Sequence, residues 1–147
     1  MKRSHAMVAV LLFACAHDAF AREVSKATIY YVSWFSLTRS ALSIEQVRAH
    51  YDTRIEIASD GEARRFAHIV RDRKFDPTGK TSHPDVRLVI DLQMDDGTTE
   101  TWCADRIRLY APDGASSAAI DRSFREQFEF GGHELESLIS RRESPGR

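Results

Sequence analysis

Five places in the chain carry residue types that could do chemistry, and each departs from the pattern that chemistry needs. Gly79-Lys80-Thr81 matches the end of a phosphate-binding P-loop. That motif also requires Gly five residues earlier, where Lys74 stands, and a helix afterwards, where His83-Pro84 follows. An ordinary turn with a solvated lysine fits better. His133-Glu134 matches the start of a zinc-binding His-Glu-x-x-His helix, but the second position is Ser137.

Cys103 has Ala104 and Asp105 beside it, not the electropositive neighbours that lower a thiol pKa. It reads as a small buried hydrophobe. Asp91, Asp95 and Asp96 lack the alternating acids and terminal Glu of a calcium loop, and Asp95-Asp96-Gly97 reads as a hairpin turn. Gly114-Ala115-Ser116-Ser117-Ala118 lacks the second Gly of a nucleophile elbow. No catalytic residue, cofactor or metal ligand set is assigned from these patterns. A hydrolase whose acid and base lie far apart in sequence is kept as the alternative function.

The start of the chain is an address. Lys2 and Arg3 precede the uncharged apolar run Ala6–Ala16, and Ala19-Phe20-Ala21 is a small-x-small cleavage pattern. This order predicts a secretory signal peptide over 1–21 and export to a bacterial periplasm as a soluble domain. The run is shorter than the ~20 apolar residues a membrane span needs. Leu12-Phe13-Ala14-Cys15 resembles a lipobox, although Phe13 departs from the usual small or branched residue. Its use would attach lipid at Cys15 and hold the domain on a membrane.

The whole chain is 147 residues with 21 basic and 22 acidic side chains. Cleavage after Ala21 removes Lys2, Arg3 and Asp18, leaving 19 basic against 21 acidic residues. Such a balance argues against a nucleic-acid binder, which carries a basic excess. The length predicts one globular domain over 22–147. His50, His68, His83 and His133 remain, and none lie three to five apart as a local zinc pair would. The mature chain keeps Cys103 alone, unlike the disulfide-dense small domains secreted by eukaryotes.

The elements that must position any site come next. Thr28–Leu37 is aromatic and β-branched, a central strand. Ser43-Ile44-Glu45-Gln46 has capping-box spacing and starts a short helix to about His50. Thr53–Ala58 alternates as a half-exposed strand. Ser59-Asp60-Gly61-Glu62 is a turn that also caps a helix running to Lys74. That helix places Ala63, Phe66, Ala67 and Val70 on one face, and Asp76-Pro77-Thr78-Gly79 ends it. Val86–Met94 and Thr98–Tyr110 form a hairpin around a two-residue Asp96-Gly97 turn. Ala111-Pro112-Asp113-Gly114 is a further turn. Ile120–Phe130 and His133–Arg142 are the last two helices. The fold expected is α+β, an antiparallel sheet of about four strands with two or three helices packed mainly on one face.

A two-residue turn would oppose Ile90 to Cys103, Leu92 to Thr101 and Val86 to Ile107. Ile90, Leu92, Met94, Cys103 and Ile107 would then form the core face. The outer face would collect Arg87, Val89, Asp91, Gln93, Glu100, Trp102, Ala104 and Arg106. There, Trp102 beside Val89, ringed by Arg87, Asp91, Glu100 and Arg106, has the pattern of an interface centre with a charged rim. Two alternatives put Trp102 inside instead: a covering helix or C-terminal segment, or a longer turn that shifts the register.

The function this implies is an exported, non-catalytic protein-binding module of inhibitor or immunity type. It would occlude a partner protein such as a secreted toxin enzyme. An accessory subunit of an envelope assembly would use the same surface.

Overall fold

The computed structural model describes residues 22–78 and 84–129. The leader 1–21 with Cys15, the Gly79-Lys80-Thr81 turn and the helix expected over His133–Arg142 lie outside the described residues. Among those described, three helices pack on one antiparallel sheet of seven strands, so the α+β class holds and the strand number is larger than expected.

The strands are β1 Val24–Tyr31, β2 Thr53–Ile57, β3 Asp76–Pro77, β4 Leu88–Met94, β5 Thr99–Ala104, β6 Arg108–Tyr110 and β7 Ser116–Ala119. Their spatial order is β2-β1-β4-β5-β6-β7-β3. The helices are α1 Ile44–Ala49, α2 Asp60–Arg71 and α3 Arg122–Glu129.

The first strand stops six residues short of the expected Leu37 because the chain turns inward. The Trp34 N–H donates to the Tyr31 hydroxyl at 3.0 Å, and the Ser36 N–H closes a turn onto the Ser33 carbonyl. Trp34 is thereby buried in the core. The capping box of α1 forms as the spacing predicts, with the Gln46 N–H bonded to Ser43 Oγ and Gln46 Oε1 accepting from the Ser43 N–H. α2 ends at Arg71 rather than Lys74, and its buried residues are Ala63, Phe66, Ala67 and Val70. Ser59 is its N-cap but makes no side-chain capping bond. Asp76-Pro77, read as a helix stop, pairs with Ser116 and Ser117 at the sheet edge. An edge strand tolerates Pro because the missing N–H can face away from the ladder.

The β4–β5 turn corrects the expected register. Its loop has three residues, Asp95-Asp96-Gly97, with the Gly97 N–H bonded to the Met94 carbonyl and the Met94 N–H to the Thr98 carbonyl. Gly97 takes φ +81°, the left-handed conformation that closes such a loop cheaply only for Gly. One extra loop residue flips every side chain of the returning strand to the opposite face. Ile90 therefore opposes Trp102, and Val89 opposes Cys103.

The return strand is also broken in two. The Asp105 carboxylate accepts the N–H groups of Ile107 and Arg108 at 2.8 and 2.7 Å, together with the Tyr110 hydroxyl at 2.6 Å. That side chain substitutes for ladder bonds and turns the chain from β5 into β6. Ile107, expected in the core, is 65% exposed in this turn.

The main core lies between the sheet and the two longer helices. Ile29, Leu88, Ile90, Leu92 and Trp102 meet Phe66 and Val70 of α2 and Phe124 and Phe128 of α3. A smaller cluster on the opposite side joins Val47 of α1 to Val32, Val86 and Val89.

Candidate functional site

Strand alternation assigns each side chain of the sheet to the α2–α3 side or the α1 side. On the α1 side stand Lys26, Thr28 and Tyr30 of β1, Arg54 and Glu56 of β2, and Asp91 and Gln93 of β4, with Thr28 paired to both Glu56 and Asp91 and Tyr30 to Arg54 and Val89. The six-residue α1 covers Val89 and leaves this polar stretch uncovered by any other described helix.

The uncovered stretch is organised by arginine. Arg48, on the last turn of α1, donates Nε and Nη2 to the two Asp91 oxygens at 3.1 and 2.6 Å. Its Nη2 also reaches Thr101 Oγ1 at 3.0 Å. The Thr101 hydroxyl donates to Asp91 Oδ1 at 2.7 Å. The fork geometry fixes the guanidinium plane. Asp91 holds the Arg48 pKa above its ordinary value, against an opposing effect of burial.

Beside this pair, the Tyr30 and Tyr51 rings meet at 5.6 Å, and the Arg54 guanidinium lies 5.8 Å from the Tyr30 ring centroid. Arg54 also pairs with Glu56 at 2.7 Å, and Lys26 pairs with Glu56 from the neighbouring strand. Lys26 above all holds the Glu56 carboxyl below its usual range. Tyr30 and Arg54 on this sheet face, with Arg48 on α1 and Tyr51 just beyond it, are of the residue types that dominate protein interfaces.

A second feature lies where β1 leaves the sheet. Arg87 is 1% exposed, and its Nη2 bonds Asp85 Oδ2 at 2.6 Å and Thr38 Oγ1 at 3.0 Å. Asp85 Oδ1 accepts the Leu42 N–H at 3.0 Å, and the Leu42 carbonyl accepts the Val86 N–H at 3.0 Å. Burial raises the Asp85 pKa, but Arg87 and the Leu42 amide outweigh it and hold the carboxyl below its ordinary value. The buried Arg87 and half-buried Asp85 therefore strap the loop 36–42 to the start of β4.

A hollow of about 540 Å³ lies beyond the strap, lined by residues 40–45, Pro84, Val86 and Cys103. Burial, aided by Asp105, pushes the Cys103 thiol up to about 11, so it stays protonated and is a poor nucleophile at neutral pH. Among the described residues no group of three or more His, Cys, Asp and Glu could hold a metal ion.

The interface centre expected around Trp102 does not assemble. Trp102 is 6% exposed on the α2 side, its ring 5.4 Å from that of Phe75. Glu100 shares that side and pairs with Arg71 at 2.7 Å. Val89, Asp91 and Arg87 are separated from them by the thickness of the sheet: Val89 lies under α1, Asp91 binds Arg48, and Arg87 is inside the strap. Arg106 is exposed on the β5–β6 turn. The longer turn, weighed as an alternative, is the physical reason.

Sequence reasoning missed Tyr30, Tyr51, Arg54 and Arg48. The adjacent Tyr30-Tyr31 carried a usable signal, since neighbouring strand residues face opposite sides and one of the two had to point away from the core.

Comparison of the chain with protein-family models, with curated proteins and with solved structures finds no match.

Proposed function

We propose that the protein is an exported, non-catalytic binding module of the bacterial periplasm. It works as an inhibitor or immunity-type protein that occludes a partner protein such as a secreted toxin enzyme. The observation that carries this reading is the cluster of Tyr30, Tyr51, Arg48 and Arg54 on the uncovered side of the sheet. Tyr supplies large contact area at a modest cost in side-chain ordering, Arg supplies oriented charge, and the Arg48–Asp91 fork orders one arginine before any partner arrives. Rigid strands beneath keep the patch in one shape.

Affinity capture from the envelope of the producing cell tests the reading. A partner retained by the wild-type chain and lost from a Tyr51→Ala/Arg54→Ala variant supports it. Equal retention by both chains contradicts it.

A further inference from the structure

The two edges of the sheet are built differently. At one, β3 is two residues long and contains Pro77, which has no N–H to offer a further strand. At the other, β2 pairs with β1 without a break through all five residues and contains neither Pro nor Gly. Very short strands, Pro, bulges and charges are the usual means of closing an edge, and β2 has only its charges.

The direction of the β2 main chain follows from the ladder. The Val32 N–H bonds the Arg87 carbonyl at 2.8 Å, in step with the β1–β4 register. Main-chain groups of an antiparallel strand alternate between its two neighbours. Thr28, Tyr30 and Val32 therefore turn theirs toward β4, and Ala27, Ile29 and Tyr31 turn theirs toward β2. The Asp52 N–H on the Tyr31 carbonyl at 2.9 Å agrees. Ile57, Ile55 and Thr53 oppose these last three residues and turn back to β1. Arg54 and Glu56 aim their N–H and C=O groups out of the sheet, where among the described residues no main-chain group meets them.

These two residues select the strand that fits. When a second copy of β2 lies antiparallel along the first, about a two-fold axis at Ile55, Arg54 opposes Glu56 of the second copy and Glu56 opposes its Arg54. Each of these outward pairs exchanges two N–H···O bonds, and opposite charges face each other at both. A register centred on Arg54 would set Arg54 against itself, and one centred on Glu56 would set Glu56 against itself. Like charges directly opposite destabilise a strand pair. On the α2 side the complementary register brings Ile55 against Ile55, which is only partly buried within one copy.

Arg54 and Glu56 already pair along their own strand at 2.7 Å, and Lys26 pairs with Glu56, yet the Arg54 and Glu56 side chains stay 42% and 37% exposed. A guanidinium has five N–H donors and a carboxylate about four lone-pair sites, so the cross-strand contact adds to the existing one. Lys26 and the exposed Asp52 flank the pair and balance in charge, so nothing at this edge repels its own copy.

We propose that the protein forms a two-fold homodimer through its open β2 edges, joining two seven-stranded sheets into one. Residues opposite each other share a side of the joined sheet, so the two tyrosine–arginine faces adjoin on the α1 side. The contact involves few residues and is therefore weak and reversible. It stands apart from the partner reading, because its test needs no other protein.

Sedimentation velocity on the chain purified from the producing cell tests this, at concentrations from about 10 μM to about 1 mM that suit a transient interface. The expected result is a monomer–dimer equilibrium. Arg54→Glu sets Glu against Glu56 of the second copy, and Glu56→Arg sets Arg against its Arg54. Each should weaken self-association at least about ten-fold. An equimolar mixture of these two variants has opposite charges at both outward pairs again, so it should form a heterodimer close to wild-type strength. The double variant Arg54→Glu/Glu56→Arg, also self-complementary, should dimerise on its own. Circular dichroism confirms folding, and a folding defect would not be cured by mixing. A wild-type chain that stays monomeric throughout would leave the edge to a strand of another protein and overturns the proposal. A single variant that dimerises like wild type, or a mixture and double variant that both stay monomeric, overturns it equally.

Discussion

Ile90 and Trp102 stand directly opposite each other across β4 and β5, both on the α2 side of the sheet. That pairing follows from the third loop residue at Asp95-Asp96-Gly97, and it turns a tryptophan that alternation alone places outside into a core residue. Trp102→Ala should therefore cost about 3–5 kcal/mol of stability through the cavity it leaves. Gly97→Val should cost less, about 1–2 kcal/mol, because a β-branched residue resists the positive φ found there. Urea unfolding of the two variants checks the order. A Trp102→Ala chain as stable as wild type would contradict the register.

Much of the fold was legible because periodicity reports burial directly. The α2 stripe of Ala63, Phe66, Ala67 and Val70 is buried as its spacing predicts, and the α1 capping box forms on the residues that spell it. What was not legible depends on choices that pattern does not encode. Asp96-Gly97 suits a two-residue turn as well as the last two positions of a three-residue one, and a single step reverses a strand's faces. The Asp105 side chain breaks a stretch that alternation reads as continuous, and β7, Ser116–Ala119, is too small and polar to signal a strand. The candidate face depends on what α1 leaves uncovered, a tertiary fact with no local signature.

The strap beneath loop 36–42 predicts a pH dependence. The Asp85 carboxyl sits below its ordinary pKa, so its charged form is favoured by folding. The stability it contributes is fully present above the unfolded pKa, about 3.9, and is lost as pH falls through the lower folded value. Asp85→Asn should remove part of the acid-side loss in melting temperature. At neutral pH it should cost on the order of 3 kcal/mol, because it leaves Arg87 buried without its carboxylate. Thermal melts between pH 2 and 7 on both chains check this. Parallel acid limbs would contradict it.

Cys103 should react slowly. With its thiol pushed up to about 11, the thiolate at pH 8 is scarcer by roughly 100-fold than in an ordinary cysteine. Alkylation by iodoacetamide should be correspondingly slow in the folded chain and fast in urea. Because folding favours the protonated thiol, its contribution to stability is intact below the unfolded pKa and declines as pH rises through the folded one. Rapid labelling of the native protein at pH 8 would contradict the burial described.

Export is expected to leave a chain beginning at Arg22. Intact-mass analysis of the envelope fraction checks the cut. A chain starting at an acylated Cys15 would replace the soluble form by a lipid-anchored one, and a cytoplasmic chain retaining Met1 would contradict both.

The central claim is that the uncovered sheet face binds a partner through Tyr30, Tyr51, Arg48 and Arg54. The most direct measurement is the dissociation constant of the captured partner for wild type and for Tyr51→Ala, by calorimetry on folded, purified chains. Tyr51 is 43% exposed and lies outside the sheet, so its truncation leaves the core intact. Binding should weaken by about 2 kcal/mol, roughly thirty-fold, with the melting temperature nearly unchanged. Unchanged affinity in a variant that melts like wild type would contradict it.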